Sequence, residues 1–153
     1  MSRIDFAPTI HHFTLCVQDL EKSTRFYVDT FGFEATFRRK AAGEAFGKLM
    51  GVAEFDVELV MLRLGDWCLE LVEHHGAPPH ERIETPTNTL GYTHFAFYVT
   101  DVSAAAALVE ANGGAIDRET WTSTSVNGEN RDYLFTRDPD GNRIELIKGS
   151  ILG

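Results

Sequence analysis

Two stretches decide the reading of this chain: HFTLCVQDL at residues 12–20 and HFAFYVTDV at residues 94–102. His, Phe, Val and Asp recur at the same internal offsets, 82 residues apart in a chain of 153. A second echo follows each copy, LELVE at 69–73 and IELIK at 144–148, with Glu second in both. Repetition on this scale outranks any local reading of the segments. It divides the chain into two half-length modules, each supplying one His early and one Glu late. Two His and two Glu at repeat-equivalent places are expected to form one site shared across a pseudo-twofold axis.

Each module has the same order of elements. In 10–17 the apolar residues alternate: His12, Thr14 and Cys16 face one way, Phe13, Leu15 and Val17 the other. The second set is greasier and belongs under a helix. Asp19 is an N-cap for a helix over 20–31, and Gly32 ends it. Strands are expected at 33–39, 56–64 and 67–73, the last two joined by Gly65-Asp66. Residues 40–54, with three glycines, read as a loop with a helical turn that serves as a lid. Residues 74–91 hold three prolines and no periodicity, which makes them the linker. In the second module the strand at 92–100 puts His94, Ala96 and Tyr98 on one face. Asp101 caps a helix over 102–112 that Gly113 and Gly114 end. A strand at 115–123, a polar turn at 125–130 and a strand at 131–137 follow. The turn Asp138-Pro139-Asp140-Gly141 leads to a last strand over 142–148, with Arg143, Glu145 and Ile147 on one face. The expected fold is therefore α+β, two tandem βαβββ modules (10–73 and 92–148) whose sheets curl around a shared metal-binding cleft.

The apolar fraction of 43% is enough for the core of one domain of this length. A formal charge of −9 argues against nucleic acid or an anionic membrane as partner. No apolar run approaches the roughly 18 residues needed to span a bilayer, and the opening residues lack the apolar core of a leader. Cys16 and Cys68 show no metal-knuckle or redox spacing. The expectation is a cytoplasmic protein with reduced thiols.

A single His at a strand start is ordinarily half-exposed or hydrogen-bonded and nothing more. Its recurrence in the repeat, with a Glu recurring beside it, favours a ligand set. Glu70, placed mid-strand, must be solvated, paired or bound to a cation, because an isolated buried charge is too costly. Imidazole and carboxylate without thiolate suit a divalent first-row metal. His11 has the wrong parity, and His74, His75 and His80 lack repeat partners, so these read as surface. Phe135, Tyr98, Trp67 and Trp121 are pocket candidates, although aromatics on strands are more often core. No arginine among Arg38, Arg39, Arg63, Arg131 and Arg143 stands out as a substrate clamp.

The stretches HFTLCVQDLEKSTRFYVDTFGF, LELVE, GYTHFAFYV and DPDGNRIELI resemble the vicinal oxygen chelate superfamily. That superfamily includes glyoxalase I, methylmalonyl-CoA epimerase, extradiol dioxygenases and fosfomycin- and bleomycin-resistance proteins. The resemblance runs from Ile10 to Lys148 and implies four metal ligands: His12, Glu70, His94 and Glu145. The set His/Glu/His/Glu is most similar to bacterial glyoxalase I. Extradiol dioxygenases resemble a two-His, one-carboxylate site, in which Glu70 would have no role. The resemblance implies one divalent ion (Ni, Co, Mn, Zn or Fe) and a homodimer acting on a small-molecule substrate. It implies a lyase or isomerase that moves a proton beside a carbonyl of an α-oxo or acyl-thioester substrate, through a metal-stabilised enediolate. Glu145 first and Glu70 second would serve as the proton-transferring carboxylates. Glu58 corresponds to an extra base in some epimerases, though a solvated edge position is the commoner fate of such a residue. A ring-cleaving dioxygenase and a bleomycin-resistance-like binding protein remain the alternatives. The continuation LVEHHGAPP after Glu70 and the insertion at 40–54 depart from glyoxalase I, which leaves a glutathione or coenzyme A adduct open.

Overall fold

The computed structural model describes residues 9–149; residues 1–8, most of the stretch read for a leader, and 150–153 lie outside them. The first module runs β1 (Phe13–Val17), α1 (Leu20–Phe31), β2 (Glu34–Ala42), α2 (Glu44–Met50), β3 (Asp56–Leu64) and β4 (Trp67–His74). The second runs β5 (Phe95–Tyr98), α3 (Val102–Ala111), β6 (Ala115–Ile116), a 3-10 turn (Arg118–Thr120), β7 (Thr122–Val126), β8 (Glu129–Arg137) and β9 (Arg143–Lys148). The sheets have orders β1-β4-β3-β2 and β5-β9-β8-β6, with β7 paired on β8. In each sheet the first strand lies parallel to the last strand of its module, so the repeated His stretch and the repeated Glu stretch are direct neighbours.

The Asp of the repeat has one local task in both modules. Asp19 accepts a hydrogen bond from the Lys22 amide at 2.8 Å, and Asp101 accepts one from the Ala104 amide at 3.0 Å. Each satisfies one of the orphan amides at its helix start. Gly32 ends α1 at φ 75°, a conformation glycine adopts without a Cβ penalty.

One core spans both modules. Val17, Phe26, Tyr27, Leu62 and Leu71 of the first pack with Val109, Leu134, Ile144 and Leu146 of the second, all buried. Phe31 of α1 stacks on Phe97 of β5 with centroids 4.0 Å apart, and Phe33 meets the same ring edge-on. A polar latch crosses the same boundary. The Tyr27 hydroxyl donates to Asp138 Oδ2 at 2.7 Å, and the Ser23 hydroxyl donates to Asp140 Oδ2 at 2.9 Å. Both acceptors belong to the Asp138-Pro139-Asp140-Gly141 turn. The modules are thus joined through the helix-facing sides of their sheets, and there is no closed barrel.

Three segments differ from the sequence reading, each through local chemistry. The strand expected over 115–123 is interrupted by the 3-10 turn, because Thr120 turns back on Asp117: its amide and its hydroxyl both donate to the Asp117 carbonyl, at 2.9 and 2.7 Å. The polar turn expected over 125–130 shrinks to Asn127 and Gly128, both with positive φ (53° and 82°), which is the backbone of a two-residue hairpin. The flanking residues are thereby free to pair as β7 and β8. The loop expected over 40–54 is shortened, because β2 runs on to Ala42; the expected helical turn is present as α2, whose Phe46 stacks on Phe55 at 5.9 Å.

Candidate functional site

Strand register fixes what surrounds each carboxylate. Glu70 on β4 lies between Thr14 of β1 and Met61 of β3, and Glu145 on β9 lies between Ala96 of β5 and Phe135 of β8. Cross-strand partners point to the same side of a sheet. Thr14 and Ala96 belong to the alternating set that starts at His12 and at His94, so each His shares a face with its Glu. The opposite faces carry Leu15 and Val17, or Phe95 and Phe97, and build the core.

The two pairs have nearly the same geometry. His12 Nε2 stands 3.6 Å from Glu70 Oε2, and His94 Nε2 stands 3.3 Å from Glu145 Oε2. In both rings Nδ1 is occupied. His94 Nδ1 shares a hydrogen bond with the Thr93 hydroxyl at 2.9 Å, and His12 Nδ1 lies against His11 Nδ1. A partner on one ring nitrogen fixes the ring and directs the other nitrogen outward. Phe135 holds the His94 ring edge-on at a centroid distance of 5.1 Å. Glu70 has one more partner: the Thr14 hydroxyl donates to Oε2 at 2.9 Å.

Within one chain the four residues stay in these two pairs. Among the described residues no three side chains of His, Cys, Asp or Glu converge where a metal could be held. The faces that carry the pairs both look away from the common core. They are open in part: Phe37 beside Met61 is 52% exposed and Tyr98 in the His94 set is 53% exposed, while Val57, Leu59 and Val72 on the Glu70 face are buried under Phe55. The donor spacing within each pair still suits a metal. Two donors each about 2.1 Å from a first-row ion stand about 3.0 Å apart at a right angle and about 3.4 Å apart at a tetrahedral one. Spacings of 3.3 and 3.6 Å lie close to that range.

Glu58 does not join the set. It pairs across the sheet with Glu73, on the face opposite Glu70, within 3.7 Å of Arg38 and of Lys40. It belongs to an ionic rim, which agrees with the solvated position and removes the role of extra base. Thr14, Thr93 and Phe135 were not assigned to the ligand pairs from sequence. Thr14 and Thr93 carry a faint signal, since one lies two places after His12 and the other directly before His94. Trp67 stacks on Phe13 on the helix-facing side, away from the pairs.

A family model described as the glyoxalase/bleomycin resistance protein/dioxygenase superfamily matches residues 9–146. The chain belongs to this superfamily. A 2-epi-5-epi-valiolone epimerase from Actinomyces sp. is 34% identical, over 92% of this chain and 79% of its own length. The lactoylglutathione lyase of Haemophilus influenzae is 31% identical, covering 91% of each chain. The crystal structure of a glyoxalase family protein from Bacillus cereus superposes with a TM-score of 0.76 at 20% identity, over 94% of this chain and 95% of that one. At that identity the likeness is one of fold. Members similar to this chain are thus enzymes by name, an epimerase and lyases, and this superfamily member is a glyoxalase-like lyase or isomerase. No helix among its described residues is long and apolar enough to cross a membrane.

Proposed function

We propose that this enzyme is a divalent-metal-dependent lyase or isomerase that removes and returns a proton on the carbon beside a carbonyl. We propose further that its site is completed by a second copy, the His12–Glu70 pair of one chain facing the His94–Glu145 pair of another. The observation that carries this is the pair of equivalent half-sites, each with an imidazole Nε2 against a carboxylate oxygen, on sheet faces the chain leaves partly open. Strands β1 and β5 add support, because each is an open edge of its sheet and needs a partner. The small-molecule substrate would lie between the two facing sheets.

When bound, a divalent ion supplies electrostatic stabilisation of the negative charge that develops on the carbonyl oxygen. His12 and His94 hold their rings in place through Nδ1 and present Nε2. Glu70 is kept in one orientation by the Thr14 hydroxyl. Glu145 receives no hydrogen bond from the described residues and is free to turn toward a substrate carbon, which makes it the first choice as proton carrier. Phe135 and Met61 flank the two carboxylates. The 34% identity to an epimerase favours return of the proton to the opposite face of the same carbon. The test is metal analysis of purified protein, followed by incubation of α-hydroxyketones and acyl thioesters in deuterated water. Metal-dependent deuterium uptake beside the carbonyl is expected; uptake that persists after chelation would refute the proposal.

A further inference from the structure

Five arginines lie on the faces that carry the His–Glu pairs, and one of them differs from the rest. Strand β8 places Arg131, Tyr133, Phe135 and Arg137 on one side by alternation, and Phe135 is the cross-strand partner of Glu145. Arg137 donates from Nε to Asp117 and from Nη1 to Glu84 and the Gly141 carbonyl. Arg143 bonds the Thr85 carbonyl and lies over the Phe135 ring, and Arg63 bonds the Gly65 carbonyl. Arg39 is open to solvent between the rings of Phe37 and Phe46. Arg131 is only 14% exposed, yet its Nε and Nη2 are shut from solvent and have no hydrogen-bond partner among the described residues. The Glu129 carboxylate stands 3.9 Å from Nη2, too far for a hydrogen bond.

Its stem is held in place. A Cβ on Gly149 would stand 2.6 Å from Arg131 Cγ, so the side chain lies over a backbone that only glycine leaves bare. A guanidinium fixed in this way, with two donors unmet, is retained where another group arrives to meet them. The planar fork fits a carboxylate or a phosphate, which share the two-oxygen edge it binds. Arg131 lies four positions before Phe135, about 13 Å along the strand. Tyr133, Ile147 and Tyr98, joined across the sheet, form the floor between them.

We propose that Arg131 is a substrate anchor: it receives the carboxylate or phosphate at the far end of a small molecule whose reacting carbon lies at Glu145. The second half of that statement rests on the proton-transfer reading; the anion site itself does not. With the chain at −9, a guanidinium on the site face whose Nε and Nη2 no described residue hydrogen-bonds selects an anionic ligand against a repelling background.

The experiment uses protein labelled with 15N-arginine and follows the side-chain Nε–H resonances during titration with inorganic phosphate and, separately, with succinate. The Arg131 resonance is the one missing from the spectrum of Arg131→Lys. It is expected to move saturably with one of the two anions and not with chloride, and that anion names the ligand chemistry. Arg131→Gln should weaken the binding of that anion, read by thermal stabilisation, by about 10- to 100-fold, with partial recovery in Arg131→Lys. A resonance that responds to neither anion, or equally to chloride, overturns the proposal, as does a Gln variant that binds as the native protein does. None of these readouts needs metal or turnover, so the anchor and the proton-transfer reading fail separately.

Discussion

Replacing Tyr27 with Phe removes one oxygen from the boundary between the modules and leaves the packing in place. Tyr27 is fully buried, and its hydroxyl donates to Asp138 Oδ2 at 2.7 Å. Asp138 is 3% exposed and keeps three other donors: the Asn142 side chain at 2.8 Å, the Asn142 amide at 2.7 Å and the Asp140 amide at 3.0 Å. A hydrogen bond to a charged acceptor contributes about 1.5–3 kcal/mol, and one between neutral groups about 1 kcal/mol. Burial pushes the Asp138 carboxyl above its ordinary value of 3.8, with help from the Asp140 charge and against the pull of its hydrogen bonds. A group raised on folding contributes stability that is complete below its unfolded value and is lost as pH rises through the folded value. Tyr27 is one of the donors that favour the anion, so its loss lifts the folded value further and widens that decline. The destabilisation by Tyr27→Phe should therefore grow from about 1 kcal/mol at acid pH to about 1.5–3 kcal/mol at neutral pH. At neutral pH that corresponds to a fall in Tm of about 3–12 °C. Urea denaturation of both proteins across this range checks it. A penalty that is the same at acid and neutral pH, or below about 0.5 kcal/mol throughout, would show that the latch does not hold an ionised Asp138.

The remaining predictions concern the site and the seam. Glu70→Gln should retain metal and lower turnover by about 10²–10⁴-fold, the usual loss for a positioned acid–base group. Glu70→Ala should lose both, whereas metal-dependent oxygen uptake that survives in Glu70→Ala would replace the isomerase reading with a dioxygenase. Gly114→Ala places a Cβ 2.5 Å from the Arg137 carbonyl oxygen and 2.8 Å from Phe26 Cε2, where helix α1 meets the second sheet. Overpacking of this kind costs about 1–3 kcal/mol, and an unchanged Tm would contradict the close approach of the modules.

Much of the fold could be read because the repeat carries its physical reasons with it. The Asp of each copy is an N-cap, the His of each copy stands just before an edge strand, and the Glu of each copy lies mid-strand beside it. Alternation then gave the correct face for His12, Thr14 and Glu70, and for His94, Ala96 and Glu145. It could not place Glu58, because the face of β3 depends on register with β4, and Met61 rather than Glu58 is opposite Glu70. The break in 115–123 was hidden for a related reason: Thr120 is a good strand residue whose hydroxyl and amide find a nearer acceptor in Asp117. Least legible was the way the modules join. Phe31 and Phe97 look like ordinary core residues in sequence, yet their stacking turns both site faces outward. Arg131 was equally silent, since the want of a hydrogen-bond partner for its Nε and Nη2 among the described residues is a property of the packed molecule.

The central claim is that each chain holds two half-sites and that a second copy unites them. The direct measurement is metal retention after mixing two variants, His12→Ala and His94→Ala, each of which should bind no metal alone. In a twofold dimer with crossed sites, a mixed pair has one site lacking both imidazoles and one intact. Random exchange in an equal mixture should then restore about a quarter of the native metal content. If the four ligands came instead from a single chain, no mixture would contain an intact site, and metal content would stay at the level of the separate variants.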